Sequence, residues 1–538
     1  MSGVISADSK DGRLLYRRYT QAKGDWDNWR SLYDEAYAYS IPQRDPWPQD
    51  TVEGRRKNIQ VYDITAVNSV RRLVARLQAS LTPTGEQWFL LEAGENVKDP
   101  VKKKEINAYL QLFTDIIFQV LNDSNFDIAI AELYQDMCIG TGGMMVLPSN
   151  DKRSPVRFKL VGVDIIYPEA DIFDDLNTIW RDFPDILGSE IKLMWPKAEI
   201  TQTMQLAMAA DPMVKFQLIE GVVWYPEKDK YRIVVMDTNS NEYILDQWSP
   251  SSPWVVARWS KATNEVGGRG PVIEALPTIR SLNALVEEIM RNVALSTSPP
   301  WIAASDGVFN PYMFQIEPNK VIPVSRQSMN GLPLQRLDVA GDVNMGNLEV
   351  NDMRQQIKDA LFDNPVRPVN APQQTATEIM IRQQQFMEEI GPAFGRISVE
   401  LLPKIINRVI YIMQAKGYLP KELVVDNKNV AIRYKSPLVR GTAMQKIQNL
   451  QNYVAVAQPI MGQELTMASI NIDQLPQWLS DKLDVDEVLI KNPAQIQALI
   501  QELKNQANPP PPGANEPTEN SQLADQTREQ QAGMTPNG

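Results

Sequence analysis

The chain has 538 residues, which corresponds to three or four compact units at roughly 150 residues each. Of these residues 43% are hydrophobic and 22% are charged, an ordinary balance for a folded protein with a large core. The formal net charge of −12 argues against general coating of nucleic acid, which requires a basic face. The sequence contains no histidine, which excludes Ser-His-Asp and Cys-His catalysis and removes the commonest metal ligand.

Cysteine usage and the hydrophobic pattern narrow the class of protein further. Cys138 is the only cysteine, so no intrachain disulfide and no thiolate zinc site is expected, and its apolar neighbours predict an inert, buried thiol. The segment Met1–Arg18 is polar and charged, which predicts no signal peptide. No run reaches about 18 uncharged apolar residues, so no membrane contact is expected. We predict a protein without catalytic residues, metal or cofactor.

The N-terminal region combines helical and strand patterns. Aromatic residues recur at three and four residues from Trp26 to Tyr37, which favours a packed helix face over a carbohydrate platform. A second helix is predicted at about 64–81. Its arginines are expected to be exposed to solvent or to contact another subunit rather than to bind nucleic acid. The stretch Gly140-Thr141-Gly142-Gly143 predicts a tight turn rather than a phosphate loop. Strand-like runs between 158 and 259 predict an antiparallel sheet.

The C-terminal half is mainly helical by pattern. A glycine-rich break at 267–271 precedes a long amphipathic helix, and a second amphipathic helix follows at about 348–362. The apolar faces on which these two helices pack are predicted to contain Ile279, Leu282, Val286, Ile289, Met353, Ile357 and Leu361. After a proline-rich segment, a Thr-x-x-Glu capping box at Thr375 begins a very long helix, bent at Pro392 and Pro403.

Four segments, taken together in their order and spacing, resemble one known family. They are Asp63-Ile64-Thr65 with the leucine-rich stretch 73–90 after it, Val256-Ala257-Arg258-Trp259 with Gly268-Arg269-Gly270-Pro271, Ile279-Arg280-Ser281-Leu282-Asn283, and Thr375-Ala376-Thr377-Glu378-Ile379. They make the chain similar to the portal, or head-to-tail connector, proteins of short-tailed bacteriophages (podoviruses) over residues 15–505. The chain has Val266-Gly267 where relatives often carry an aromatic residue, which bears only on local packing.

The resemblance implies an α+β, mainly helical chain with the wing, stem, clip and crown of the portal fold. It also implies that copies of the chain assemble as a ring around an axial channel. The implied segments are a wing of N-terminal helices and an antiparallel sheet at 1–270, stem helix 1 at 271–297, the clip at 298–345, stem helix 2 at 346–363, a channel loop at 364–374, the wing spine helix and a return strand at 375–439, crown helices at 440–505 and a disordered tail at 506–538.

The function that the resemblance implies is not enzymatic. A dodecameric channel at one vertex of the capsid would let the terminase package double-stranded DNA, would release the DNA at ejection, and would hold the tail. The implied partners are further copies of the chain, DNA, terminase, the tail adaptor and tail proteins, and the major capsid, scaffolding and internal core proteins. The chain would be synthesised in the host cytoplasm and reside in the virion at the head–tail junction.

Candidate contact residues lie in two of these segments. In the channel loop they are Arg367, Asn370, Gln373 and Gln374. In the clip, candidates for contact with a terminase or a tail adaptor are Lys320, Arg326 and Arg336. Arg367 has two equal roles open to it, contact with DNA phosphates or pairing with a carboxylate of the next subunit. Because twelve chains of −12 carry −144 in total and basic side chains would retard DNA, we expect a mostly acidic or neutral lumen.

Two other functions stay open from the sequence. One is a minor capsid or tail component that is not a portal. The other is a carboxylate-dependent glycan hydrolase that holds sugar on the N-terminal aromatic residues. Acid pairs for such an enzyme exist at Asp174-Asp175 and Glu287-Glu288, although such pairs are more typical of solvated faces. No Gly-x-x-x-x-Gly-Lys-Ser/Thr loop is present, so the ATP-driven motor must be another protein.

Overall fold

The computed structural model describes residues 10–47, 57, 61–97, 99–151, 153–238, 242–297, 301–303, 334–336, 343–363, 385–386, 388–420, 423, 430–434, 437–471, 475–476 and 478–479. These residues form a mixture of helices and antiparallel strands, as the sequence predicts. They divide into two compact units, one within Met1–Leu438 and one within Val439–Gly538. No helix in this part of the chain has the length and hydropathy needed to cross a membrane.

The described helices and strands account for most of the predicted elements. The helices are α1 (Lys10–Asp27), α2 (Arg30–Ser40), α3 (Thr65–Leu81), α4 (Pro100–Asn122), α5 (Phe126–Ile139), α6 (Gly188–Met194), α7 (Gln202–Ala210), α8 (Pro271–Thr297), α9 (Val343–Ala360), α10 (Gly391–Glu400), α11 (Leu402–Ala415), α12 (Pro437–Met461) and α13 (Gln463–Ala468), with short 3-10 turns at Pro42–Arg44 and Pro226–Lys228. The strands are β1 (Phe89–Ala93), β2 (Thr141–Pro148), β3 (Val156–Val161), β4 (Ile166–Ala170), β5 (Leu176–Leu187), β6 (Lys215–Tyr225), β7 (Lys230–Asp237), β8 (Tyr243–Ser249), β9 (Trp254–Arg258), β10 (Trp301–Ala303), β11 (Leu334–Arg336) and β12 (Val430–Tyr434).

The predicted antiparallel sheet is confirmed as a five-stranded meander. Its strand order is β4-β5-β6-β7-β8, so each strand pairs with its neighbour in sequence. At the β6–β7 turn Asp229 adopts a left-handed conformation, with φ of 51°, which aspartate tolerates better than most residues. A smaller sheet, β3-β2-β9, places Arg258 opposite Thr141. Strand β1 pairs with β12, so residues 89–93 and the return strand at 430–434 form one ribbon.

The N-terminal aromatic residues lie inside the fold. Trp26, Tyr33 and Tyr37 are all buried, and their rings meet those of Trp29 and Trp47 edge-on or tilted. The predicted packed face is therefore confirmed, although the single helix expected here is divided between α1 and α2. Trp29 and Trp47 are half-buried, so most of this aromatic surface is used in packing, as expected for a packed helix face rather than a carbohydrate platform.

The predicted very long helix after Thr375 is divided where it is described. Helices α10 and α11 meet at Leu401, whose φ and ψ are −103° and −65°. Pro392 and Pro403 stand in the first turns of these two helices. The structure therefore has helix boundaries where bends were predicted at the prolines. In the first turn of a helix a backbone N–H has no partner within the helix, so proline, which lacks that N–H, loses nothing there, whereas in the interior its ring would clash with the preceding turn.

Candidate functional site: the helix pair α8 and α9

A glycine contact fixes the beginning of α8. Gly268 and Gly270 lie directly against the turn between α5 and β2, where a Cβ on either would collide with the carbonyl oxygen of Gly140 or of Cys138. The backbone N–H of Gly270 donates to the carbonyl oxygen of Ile139 at 2.8 Å. Only residues without a side chain allow this approach of two backbones. The Gly-Arg-Gly-Pro segment therefore seats α8 on the core. The turn predicted at 140–143 is limited to a bend at Gly140, because Thr141, Gly142 and Gly143 already belong to strand β2.

Helices α8 and α9 pack against each other through apolar side chains. Of the seven residues predicted for this contact, five are buried, namely Ile279, Leu282, Val286, Ile357 and Leu361. The other two, Ile289 and Met353, are half-buried and pack against the same core. Burial of one such side chain contributes about 1.5–3 kcal/mol, so these residues hold α8 and α9 on the common core. Pro277 is accommodated within α8.

A polar node near Asp63 ties both helices to the segment that precedes α3. The buried Asn283 side chain of α8 accepts hydrogen bonds through Oδ1 from the backbone N–H groups of Tyr62 and Asp63, at 2.8 and 3.0 Å. Asp63 Oδ2 in turn lies 2.7 Å from Arg354 Nη2 of α9. Burial alone raises the pKa of Asp63, but hydrogen bonds from Thr65 and Arg354 outweigh it and hold that pKa below its ordinary value.

A second node ties the end of α9 to α3. Buried Asp363 accepts hydrogen bonds from Ser69 Oγ at 2.8 Å and from Arg72 Nη1 at 3.0 Å. Arg76 Nη1 donates to the carbonyl oxygen of Phe362 at 2.6 Å. The sequence favoured solvent or another subunit for these arginines, but Arg72 and Arg76 bind within the chain. The pattern of α3 gave no sign of this, since the acceptors lie almost 300 positions further along.

A buried ion pair joins the sheets to the helices that follow α9. Arg258 Nη2 lies 2.8 Å from Glu400 Oε1, and the two side chains are 1% and 7% exposed. The same guanidinium donates to the carbonyl oxygens of Asp174 and Val266, at 2.7 and 3.3 Å. Burial raises the pKa of Glu400, but the hydrogen bonds and charges of Arg258 and Arg396 together outweigh it and hold that pKa below its ordinary value. In the sequence Arg258 is only part of a family segment without a role of its own, and no local pattern points to Glu400.

The exposed side of α9 is acidic. Among its described side chains, the exposed polar and charged ones are Glu349, Asn351, Asp352, Gln355, Gln356 and Asp359. The two cations of this stretch, Arg354 and Lys358, are half-buried, and Arg354 is held by Asp63. The arginines of α8 pair with acids, since Arg291 contacts Glu287 and Glu288. The exposed polar residues of α9 are therefore acids and amides.

The other predicted contact residues fall largely outside the described residues. Arg367, Asn370, Gln373 and Gln374 of the channel loop lie outside them, as do Lys320 and Arg326 of the clip. Arg336 is placed by its backbone only, in strand β11, where it pairs with Trp301 of β10. Cys138 is buried, with the pKa of its thiol raised by that burial, as the sequence predicts for an inert cysteine.

Comparison with known proteins gives a consistent set of relatives. The family model described as "Bacteriophage head to tail connecting protein" matches residues 13–490. The "Probable portal protein" of Bordetella phage BPP-1 is 21% identical over 514 residues, 92% of this chain and 91% of that protein. The "Portal protein" of Salmonella phage epsilon15 is 20% identical, over 93% and 92%. The "Portal protein" of Escherichia phage T7 is 18% identical, over 84% of each.

A solved structure of lower similarity also aligns. It is a chain of the "Virion of native gene transfer agent (GTA) particle", with a TM-score of 0.34 and 10% identity, and the alignment covers 79% of this chain and 99% of that one.

Proposed function

The chain belongs to the bacteriophage head-to-tail connecting protein family, and from that premise we propose that twelve copies close into a ring around an axial DNA channel. Its function is that of a portal protein, the head–tail connector of a phage. The observation that carries this conclusion is the family match over residues 13–490, which includes every element of the helix pair and its anchors. The role places the chain in the virion at the head–tail junction and is structural rather than enzymatic.

We place α8 and α9 in the stem, the part of the ring that surrounds DNA. Each helix keeps large apolar residues exposed in the single chain, with Met290 of α8 53% and Leu348 of α9 71% exposed. Val293 of α8 is 47% exposed as well. A heterologous, head-to-tail interface between adjacent copies would bury these side chains, each worth about 1.5–3 kcal/mol. Closure of the ring is thus supported by the apolar surface that the helix pair leaves uncovered.

The acidic side of α9 fits a channel through which DNA slides. Duplex DNA carries one negative charge per ~1.7 Å, and every phosphate that a lysine or arginine neutralises adds affinity that retards movement. Glu349, Asp352 and Asp359 offer no such contact. In this proposal the stem surface repels the duplex, and the Arg367 ring of the channel loop is the basic contact that retains packaged DNA, unless Arg367 pairs with a carboxylate of the next subunit.

The remaining proposals concern partners at the two ends of the channel. The clip, with Lys320, Arg326 and Arg336, would contact the terminase during packaging and the tail adaptor afterwards. The wing and crown would contact the major capsid, scaffolding and internal core proteins. These assignments follow the segment order of the family, with the wing at 1–270 and the crown at 440–505.

Electron microscopy of the purified full chain tests the proposal. We expect rings with twelve-fold symmetry and a central hole, and a monomer or an open filament would contradict it. A Met290→Asp variant should assemble poorly, because it buries a charge between stems. Leu206→Asp is the matched control, since Leu206 is 72% exposed on α7, away from the helix pair, and should leave ring assembly intact.

A further inference from the structure

The loop between β4 and β5 presents two large apolar side chains to solvent. Ile172 is 90% exposed and Phe173 is 79% exposed. We call these two residues the apolar knob. Large apolar side chains that stand together on a surface usually mark a site of contact with another molecule. Nothing in the helix pair explains the apolar knob, because it lies in the sheet region, at the turn that precedes β5.

The loop that carries the apolar knob is held in one conformation. Asp171 Oδ1 accepts hydrogen bonds from the backbone N–H groups of Phe173 and Asp175, at 2.8 and 3.0 Å. Asp174 adopts a left-handed conformation, with φ of 69°, and its carbonyl oxygen accepts from the buried Arg258 at 2.7 Å. Since the loop is already ordered, a partner that buries the apolar knob loses little conformational entropy in doing so.

A cavity lies elsewhere on the same chain. It has a volume of about 250 Å³ and lies between the end of α2 and the beginning of α3. Half of its lining residues are apolar, namely Ile41, Pro42, Val61, Ile64, Val67 and Val70, and the other half are polar, namely Ser40, Gln43, Arg44, Asn68, Arg71 and Gln135. Arg71 stands at its rim, exposed, and makes no hydrogen bond or ion pair with any residue that the structure describes. We call this cavity the α2–α3 pocket.

The charges around the two features are complementary. Asp171 and Asp175 flank the apolar knob, whereas Arg71 borders the α2–α3 pocket. The exposure of the apolar knob shows that the chain does not fill its own pocket with it. A knob on one surface and a pocket on another give a heterologous contact, which repeats from copy to copy and closes a ring when the rotation allows. Opposite charges at the rim favour the correct register over others.

We propose that the apolar knob of one copy inserts into the α2–α3 pocket of the adjacent copy, as a second contact between subunits beside the helix pair. This inference rests on the ring proposed above, and the occupant it names is a second copy of this chain. The contact buries Phe173 and Ile172 at the wing, and pairs the aspartates beside them with Arg71.

Disulfide cross-linking of assembled rings tests the contact directly. Cys138 is buried, so the chain offers little thiol background, and Phe173→Cys with Asn68→Cys places one thiol on the knob and one on the pocket wall. After oxidation of the double variant, a denaturing gel without reductant should show a ladder of linked chains. Each single variant is the matched control and should remain monomeric on the gel. Rings of the double variant that give no ladder, or only a link within one chain, would overturn the contact.

A charge introduced into the apolar knob tests this contact separately from the formation of the ring. Phe173→Asp should raise the protein concentration at which half of the chains are assembled by about tenfold or more, as measured by mass photometry. A tenfold change corresponds to a loss of about 1.4 kcal/mol in the free energy of association. Leu206→Asp is again the control for an exposed apolar residue. If the unaltered chain forms no ring, the proposed function fails. If rings form and Phe173→Asp leaves their concentration dependence unchanged, only the knob contact fails.

Discussion

Replacement of Glu400 by glutamine would leave the guanidinium of Arg258 buried and charged without a counter-ion. Removal of one partner from a buried ion pair costs about 3–5 kcal/mol. Arg258 keeps its hydrogen bonds to the carbonyl oxygens of Asp174 and Val266, so we expect a loss near the lower end, about 3 kcal/mol. Since whole domains are stable by only roughly 5–15 kcal/mol, the loss should be easily measured.

Hydrogen exchange is the suitable assay, because a chain of 538 residues in two compact units is not expected to unfold in one step. Exchange reports the free energy of opening region by region. Amides of β9 and α10 should exchange roughly 100-fold faster in Glu400→Gln, which is what 3 kcal/mol implies. Arg396→Met is the matched control, since Arg396 also contacts Glu400 but is 33% exposed, and its removal leaves Glu400 paired with the buried Arg258, so the loss should be smaller. Equal effects of the two variants would refute the reasoning.

Three further predictions concern the same framework and the channel. Because the pKa of Glu400 is lowered in the folded state, its ion pair stabilises the fold fully above the ordinary value of 4.5 and is lost as the pH falls through the lowered value. Hydrogen exchange of β9 and α10, compared between the unaltered chain and Glu400→Gln at each pH from 7 to 3, should therefore show the difference between the two shrink as the pH falls. Gly268→Ala should lower the yield of soluble protein severalfold on expression, because its Cβ would collide with Gly140, whereas Gly24→Ala, where a Cβ meets nothing within 4 Å, should not. Arg367→Glu should change the yield or retention of packaged DNA in phage assembled with the variant, and unaltered packaging would remove the proposed phosphate contact.

The sequence was sufficient for features that depend on local periodicity. The apolar spacing of α8 and the strand-like runs of the sheet each predicted an element that the structure contains, and the glycines at 140–143 predicted a turn of which the structure keeps the bend at Gly140. Such patterns are readable because a helix or strand must turn one side toward a core, whatever that core is. The four segments that carry the family resemblance were readable for a different reason, since their order along the chain is itself sequence information.

The tertiary structure alone decided which polar groups meet. Arg258 and Glu400 are separated by 142 positions, and Asp63 and Arg354 by 291, so no local pattern relates them. The tertiary structure also divides the predicted helix after Thr375 at Leu401. It leaves Ile172 and Phe173 exposed, although most apolar residues of similar size are buried. Periodicity in the sequence predicts which side of a helix or strand faces the core. Which charge a side chain pairs with, and what covers an exposed apolar residue, depend on distances between elements, and these are set only when the chain folds.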